Sequence, residues 1–183
     1  MSPYGDRFPD GWACQIRGPG QNGRMDEVQK FSILLVEDNE EDIVLFKAAL
    51  RKARVANPLN VVKDGEEAIK YLSGVDPYSD RKIHPIPILL LLDLRLPKIS
   101  GFEVLEWIRE QPALNDLTVV IMSGSADAPN VKIAHELRAN SYLLKPRNFD
   151  QLVELMKRIN VRWLRLGNVP EVRPQTSRRI SPP

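Results

Sequence analysis

The sequence has little cysteine, little histidine and no apolar run long enough to cross a membrane. Its one cysteine, Cys14, excludes an intramolecular disulfide and fits a reducing cytosol. The two histidines, His84 and His135, show no spacing for metal ligation or catalysis, so we expect both on the surface or in loops. No basic segment leads into an apolar stretch at the N-terminus, as a signal peptide would require. We therefore expect a soluble, cytoplasmic protein that makes no membrane contact.

The excess of positive over negative charge is also small. The formal net charge of the 183 residues is +2. Acidic and basic side chains balance within residues 1–30, and the surplus lies in residues 167–183, which include Arg178 and Arg179. Two arginines in a tail support only weak, salt-sensitive contact with nucleic acid. The charge pattern therefore argues against direct nucleic-acid binding.

The composition divides the chain into three parts. Residues 1–30 are rich in glycine and proline and have little periodicity, which is typical of a flexible leader. Residues 167–183 are proline-rich and without pattern, so we expect a disordered tail that contains proline and arginine. Residues 31–166 remain as a single folded domain.

The order of apolar patterns within residues 31–166 predicts an α/β fold. The clearest run, residues 88–92, is entirely apolar and lies between Pro87 and Pro97, as in strands that are covered on both faces. Each predicted strand is followed by a segment with helical spacing of apolar residues. Strands are predicted at residues 31–36, 59–63, 88–93, 118–122 and 141–144. Such alternation indicates a parallel five-stranded sheet with helices on both faces.

Chemically reactive side chains recur where the predicted strands end. Glu37 and Asp38 follow the first strand, Asp93 ends the third, Ser123 follows the fourth and Lys145 follows the fifth. The carboxyl ends of parallel strands share one edge of the sheet, which is where such sheets bind ligands. Three carboxylates in one cleft favour a bound cation, and oxygen ligands favour Mg²⁺. With that charge neutralised, Asp93 could accept a phosphoryl group, and the lysine could pair with a phosphoryl oxygen.

Each of these residues also has a simpler interpretation. Glu37 and Asp38 could cap a helix, Ser123 could be an ordinary loop residue, and Lys145 could be a solvated lysine. These interpretations would have to hold independently at four strand ends, so the functional interpretation is preferred.

The same segments resemble the receiver domain of two-component response regulators, over residues 31–166. The motifs that carry the resemblance are Ile33-Leu34-Leu35-Val36-Glu37-Asp38, Asp64-Gly65-Glu66-Glu67-Ala68, Leu91-Leu92-Asp93-Leu94-Arg95-Leu96-Pro97, Ser100-Gly101, Met122-Ser123 and Tyr142-Leu143-Leu144-Lys145-Pro146. The resemblance implies a flavodoxin-like sheet with strand order 2-1-3-4-5. It implies a signalling protein rather than an enzyme, whose own chemistry is limited to self-phosphorylation from phosphodonors and autodephosphorylation.

The resemblance also assigns roles to site residues. It implies that Asp93 accepts phosphate from a sensor histidine kinase and that Mg²⁺ is held by Glu37, Asp38, Asp93 and the backbone carbonyl of Arg95. Ser123 matches the switch hydroxyl, and Tyr142 matches the switch aromatic residue. Lys145 matches the phosphate-binding lysine and precedes a proline for which the family pattern implies a cis peptide bond.

Two positions depart from the family pattern, Arg95 and Ser100, and a third, Ser125, adds to it. Arg95 stands where a small or polar side chain is common, so its guanidinium could reach the phosphate site and alter autodephosphorylation. Ser125, two residues after the switch hydroxyl, is a further position that we expect to modulate the site. Ser100 replaces the usual aspartate before the glycine, which should change only a turn or helix cap.

A narrower resemblance concerns the partners. The long connection that contains Tyr78, the ending at Trp163 and the lack of an output domain look like single-domain regulators that serve bacterial phytochrome kinases. The signal would then leave by phosphorelay or by protein contact, including a homodimer through the fourth helix, fifth strand and fifth helix. Lys132, Glu136, Arg138, Lys157 and Arg158 give this face mixed charge, which suits a two-fold contact.

Alternative functions follow from the same residues. A phosphatase of the haloacid dehalogenase type would need a second aspartate two residues after its nucleophile, and Arg95 stands there instead. A degenerate receiver that acts as an unphosphorylated interaction module is the main rival, if Arg95 blocks the phosphate site.

Overall fold

The computed structural model describes residues 32–164. The predicted leader at 1–30 and the predicted tail at 167–183 lie outside these residues, so both stay predictions. The prediction that the first strand begins at Phe31 also concerns a residue outside this range. None of the helices within residues 32–164 is long and apolar enough to cross a membrane.

Five parallel strands form one sheet in the order 2-1-3-4-5, which confirms the predicted fold class. The strands are β1 (Ile33–Val36), β2 (Leu59–Val62), β3 (Leu89–Asp93), β4 (Thr118–Ser123) and β5 (Ser141–Leu144). All residues of β1 and β3 are buried. These two strands pair with each other near the centre of the sheet, where helices cover both faces, and this explains their unbroken apolar sequences.

Five α-helices connect and cover the strands. They are α1 (Glu40–Lys52), α2 (Gly65–Ser73), α3 (Gly101–Glu110), α4 (Ala128–Glu136) and α5 (Phe149–Ile159), and a π-helical turn at Asn160–Leu164 extends α5. Four of the helices are capped by a side chain that accepts a hydrogen bond from a backbone N–H of the first turn. The caps of α1, α2, α3 and α5 are Asn39, Asp64, Ser100 and Asn148, respectively. Ser100 forms a full capping box with Glu103, so the change from aspartate at this position preserves the helix start.

The sheet separates two apolar cores. Leu90 and Leu92 of β3 contribute to the core beneath α2 and α3, whereas Leu89 and Leu91 contribute to the core beneath α1 and α5. Trp163 packs half-buried against the second core. Because alternate residues of one strand face opposite sides, β3 is held in register from both faces.

The long connection between α2 and β3 has a defined structure. The guanidinium of Arg81 donates to the backbone carbonyls of Tyr71 (2.7 Å), Leu72 (2.7 Å) and His84 (3.2 Å). The rings of Tyr71, Tyr78 and His84 pack together with centroids 5.1 to 5.7 Å apart. His84 therefore lies in a loop, as expected, but its ring packs against aromatic neighbours.

The implied cis peptide bond before Pro146 is wrong for this structure. Within residues 32–164 the only cis peptide bond joins Asp76 and Pro77. A trans bond is the lower-energy form of an X–Pro bond unless tertiary contacts select the other isomer. Here the trans form already allows the Lys145 N–H to donate to the Ser123 carbonyl at 2.7 Å.

Position 101 requires glycine because the backbone of Asp93 and Leu94 lies too close to leave room for a side chain. The Gly101 N–H donates to the Leu94 carbonyl at 3.0 Å, and a Cβ at this position would overlap the Asp93 carbonyl oxygen and lie 2.8 Å from the Leu94 Cα. Both neighbours are backbone atoms, so they cannot move aside as a side chain could.

We expect Gly101→Ala to lower the free energy of unfolding by about 1–3 kcal/mol because the start of α3 must move away from β3. Chemical denaturation measures this change. Gly124→Ala is the matched control, since its nearest neighbour is the flexible guanidinium of Arg95 at 3.3 Å. Equal stability of the two variants would contradict this explanation.

Candidate functional site

Three acidic side chains meet at the carboxyl edge of the sheet. Glu37 and Asp38 follow β1, and Asp93 ends the neighbouring strand β3. One carboxylate oxygen from each lies within 4.8 Å of the others. Glu37 is 1% exposed and Asp93 is 7% exposed, whereas Asp38 is open to solvent. The predicted cluster of carboxylates therefore forms a cleft with one accessible side.

Lys145 lies among these carboxylates. Its Nζ is 2.6 Å from Glu37 Oε2, 2.6 Å from Asp93 Oδ2 and 2.9 Å from Asp42 Oδ2. The lysine follows β5 and reaches across β4, whose Ser123 carbonyl accepts the Lys145 backbone N–H. The ammonium group is positioned by this backbone contact together with its three ion pairs.

The surroundings of Glu37 and Lys145 shift the pKa values of these two side chains. Burial raises the pKa of Glu37 to about 7, although the hydrogen bond and charge of Lys145 oppose the shift. Burial alone would lower the pKa of Lys145, but its hydrogen bonds to Asp93, Glu37 and Asp42 raise that pKa above the ordinary value. The lysine therefore stays charged, whereas burial makes Glu37 easier to protonate than an exposed glutamate.

Asp42 is a site residue that sequence reasoning missed. In the sequence it is one of three consecutive acids, Glu40, Glu41 and Asp42, that begin the first helix. The structure turns its carboxylate toward Lys145 from the first turn of α1. Nothing in the sequence distinguishes Asp42 from Glu40 and Glu41, because its partner Lys145 is 103 residues away.

The predicted switch residues lie beside the acidic cleft. Ser123 is buried at the end of β4, and its Oγ accepts the Ser125 N–H at 3.3 Å. The Tyr142 hydroxyl donates to the Ser125 carbonyl at 2.7 Å. Ser125 therefore links the two predicted switch positions through its backbone, and its side chain donates to Asp127.

Arg95 contacts the site in two ways. Its backbone N–H donates to Asp93 Oδ1 at 3.0 Å, so both oxygens of Asp93 have partners. Its exposed side chain extends to Gly124, where Nη2 would lie 3.3 Å from a Cβ added to the glycine. The guanidinium thus borders the mouth of the cleft, whereas Glu37 and Asp93 inside the cleft pair with Lys145.

The cleft fits a hard divalent cation. Its donor atoms are all carboxylate oxygens, which suit Mg²⁺, Mn²⁺ and Ca²⁺ better than metals that prefer nitrogen or sulfur. Three carboxylates, those of Glu37, Asp42 and Asp93, pair with one ammonium group, and the Asp38 carboxylate lies close to those of Glu37 and Asp93. Additional positive charge at the open side near Asp38 would therefore lower the repulsion among them.

Known proteins resemble this chain in sequence and in fold. A sequence model of the response regulator receiver domain matches residues 33–157. Response regulator Rcp1 of Synechocystis sp. is 36% identical over 138 residues, which cover 75% of this chain and 92% of that protein. A structure of the phosphorylated cyanobacterial phytochrome response regulator RcpA is 37% identical with a TM-score of 0.69, and the match covers 76% of this chain and 98% of that one. The Mn²⁺-bound form of Rcp1 is 36% identical with a TM-score of 0.66, covering 73% and 94%.

The chain belongs to the response regulator receiver domain family. Receiver domains are phosphoacceptor signalling proteins that bind a divalent metal, and the acidic cleft of this chain has suitable ligands. The predicted family and fold are therefore confirmed, whereas the roles of individual site residues stay predictions.

Proposed function

We propose that this chain is a cytoplasmic, single-domain response regulator whose Asp93 accepts a phosphoryl group from a sensor histidine kinase in a Mg²⁺-dependent reaction. The observation that carries the proposal is the cleft in which Lys145 contacts both Glu37 and Asp93 at 2.6 Å. A carboxylate nucleophile, a cation site and a lysine for phosphoryl oxygens are the parts that such a transfer requires.

The reaction forms one bond and breaks another at phosphorus. A carboxylate oxygen of Asp93 attacks the phosphorus of a phosphohistidine, and the phosphorus–nitrogen bond breaks to release the imidazole, which takes up a proton. Mg²⁺, held by Glu37, Asp38, Asp93 and the Arg95 carbonyl, would supply neutralising charge. Lys145 pairs with a phosphoryl oxygen. Attack by water on the same phosphorus returns the Asp93 carboxylate and releases inorganic phosphate.

The switch would begin at Ser123. Its hydroxyl, which now accepts the Ser125 N–H, would turn to donate to a phosphoryl oxygen. The Ser125 backbone would move with it and change the hydrogen bond from Tyr142. Phosphorylation would in this way favour one of two packings of the neighbouring surface.

The output surface would be the face formed by α4, β5 and α5. Apolar side chains of β5 and α4 are exposed there: Leu144, Val131 and Ile133. The charged residues Lys132, Glu136, Arg138, Lys157 and Arg158 lie on α4, just after it or on α5, and are also exposed. Exposed apolar side chains together with mixed charge suit a contact with a second copy or with another protein.

The kinase partner is proposed from the relatives. RcpA is described as a cyanobacterial phytochrome response regulator, and the match covers 98% of its chain. We infer that a bacterial phytochrome with a histidine kinase domain is the partner of this chain. The general proposal of a histidine kinase rests on the family and does not depend on this narrower inference.

Incubation with acetyl phosphate and Mg²⁺ should add the mass of one phosphoryl group to the wild type, because Asp93 is the nucleophile. Intact-mass spectrometry measures the gain, with and without Mg²⁺. Asp93→Asn should show none, whereas Asp116→Asn, the same change at an exposed and distant position, should behave as wild type. A wild type that gains no mass would refute the proposal and favour the unphosphorylated interaction module.

Arg95→Asn should shorten the lifetime of the phosphorylated protein by roughly threefold or more. The guanidinium at the mouth of the cleft would otherwise pair with the phosphoryl group and hinder the attacking water. Decay of the phosphorylated mass after removal of the phosphodonor measures the lifetime. Arg147→Asn changes another exposed arginine of the same edge and serves as the control. An unchanged or longer lifetime would show that Arg95 does not protect the phosphate.

Phosphorylation should increase the dimeric fraction of the chain, and Leu144→Asp should prevent the increase by placing a charge at the centre of the output surface. Sedimentation velocity before and after treatment with acetyl phosphate measures the fraction. Ile83→Asp is the matched control, because Ile83 is at least as exposed as Leu144 but lies in the connection between α2 and β3. Loss of dimer in the control alone would assign the contact to another face.

A further inference from the structure

All three donors of the Lys145 ammonium are used. An ammonium group has three N–H bonds, and the Nζ of Lys145 has three carboxylate partners: Glu37 and Asp93 at 2.6 Å and Asp42 at 2.9 Å. Two of these partners, Glu37 and Asp93, also belong to the group whose oxygens lie close enough to share a metal ion. Asp42 is the partner that does not belong to that group.

The position of Asp42 outside the group of possible metal ligands matters when a cation enters the cleft. A divalent ion that takes oxygens of Glu37 and Asp93 removes electron density from the partners of Lys145 and repels its ammonium. The carboxylate of Asp42 is left free for the lysine alone. Lys145 can then stay at the edge of the cleft, next to where a phosphoryl oxygen on Asp93 would lie.

The start of α1 holds Asp42 in place. The Asn39 side chain accepts the N–H groups of Glu41 (2.9 Å) and Asp42 (3.1 Å), and the next residue, Ile43, is buried in the core. The carboxylate is therefore positioned by a capped helix turn rather than by a loop. Such prior positioning lowers the cost of orienting a charged group during reaction.

We propose that Asp42 is a positioning residue for Lys145, which keeps the lysine in the cleft when Glu37 and Asp93 bind a divalent cation. Asp42 thereby raises both the affinity for the cation and the rate of phosphoryl transfer. The effect on transfer rests on the proposed function of Asp93, whereas the effect on cation affinity does not. Without Asp42, the lysine competes with the cation for the same two carboxylates.

Asp42→Asn should weaken Mg²⁺ binding about tenfold and slow phosphorylation by acetyl phosphate by a similar factor, the range found when a residue that orients a metal-site side chain is lost. Isothermal titration calorimetry measures the affinity, and intact mass over time measures the rate. Glu41→Gln removes the same charge from the same exposed helix turn and should change both by less than about twofold. Asp42→Glu should recover part of the loss.

A double-mutant cycle with Lys145→Gln tests whether Asp42 acts through the lysine. In the Lys145→Gln background, Asp42→Asn should have no further effect on Mg²⁺ affinity. An equal loss in both backgrounds would show that Asp42 acts on the cation directly and would overturn the proposal. An equal loss in Glu41→Gln would assign the effect to general charge and would also overturn it.

Two further measurements separate this proposal from folding and from the proposed function. Thermal unfolding of Asp42→Asn without metal should stay within a few degrees of wild type, since the residue is partly exposed. A wild type that binds Mg²⁺ but takes up no phosphoryl group would refute the function proposed for Asp93. The double-mutant cycle, which measures Mg²⁺ affinity, would still decide the role of Asp42.

Discussion

The ion pairs of Lys145 with buried carboxylates are the interaction on which the rest of the site depends. Burial is the main cause that raises the pKa of Glu37 to about 7, and the charges of Asp93 and Asp42 add to the rise. Buried carboxylates also repel each other. The ammonium that offsets this repulsion comes from the end of β5, two strands away from the third strand that carries Asp93. The strand order 2-1-3-4-5 therefore matters chemically as well as topologically, because it sets which side chains meet at the edge. A different order of the same strands would separate the lysine from Glu37 and Asp93.

Asp93 has little freedom to move, whereas its neighbours have more. The leucines before it are divided between two cores, and the backbone of Gly101 packs directly against its carbonyl. Ser123, Ser125 and Tyr142 are instead joined by hydrogen bonds that can be exchanged without loss of core packing. Any conformational response to chemistry at Asp93 would therefore begin in the segment after β4 rather than in β3 itself.

Sequence reasoning predicted the fold and the meeting of Glu37, Asp38, Asp93 and Lys145, because parallel strands place all their carboxyl ends at one edge. It did not predict Asp42, whose contact with Lys145 spans 103 residues and depends on the rotation of α1 relative to β5. Helical spacing predicts which residues share one face of a helix. It does not predict which distant side chain that face contacts. The cis bond before Pro146 was predicted wrongly for a related reason: a small energy difference decides the isomer, and tertiary contacts that no local pattern records determine it.

The Arg81 side chain holds the connection between α2 and β3 together by hydrogen bonds that the composition of this connection does not predict. One guanidinium holds carbonyls at the end of α2 and near the end of the connection, and its neighbours form a small aromatic cluster. One donor therefore ties the end of α2 to the far part of the connection. Loss of that donor would free all three carbonyls together, so the two parts of the segment would lose this link in a single step.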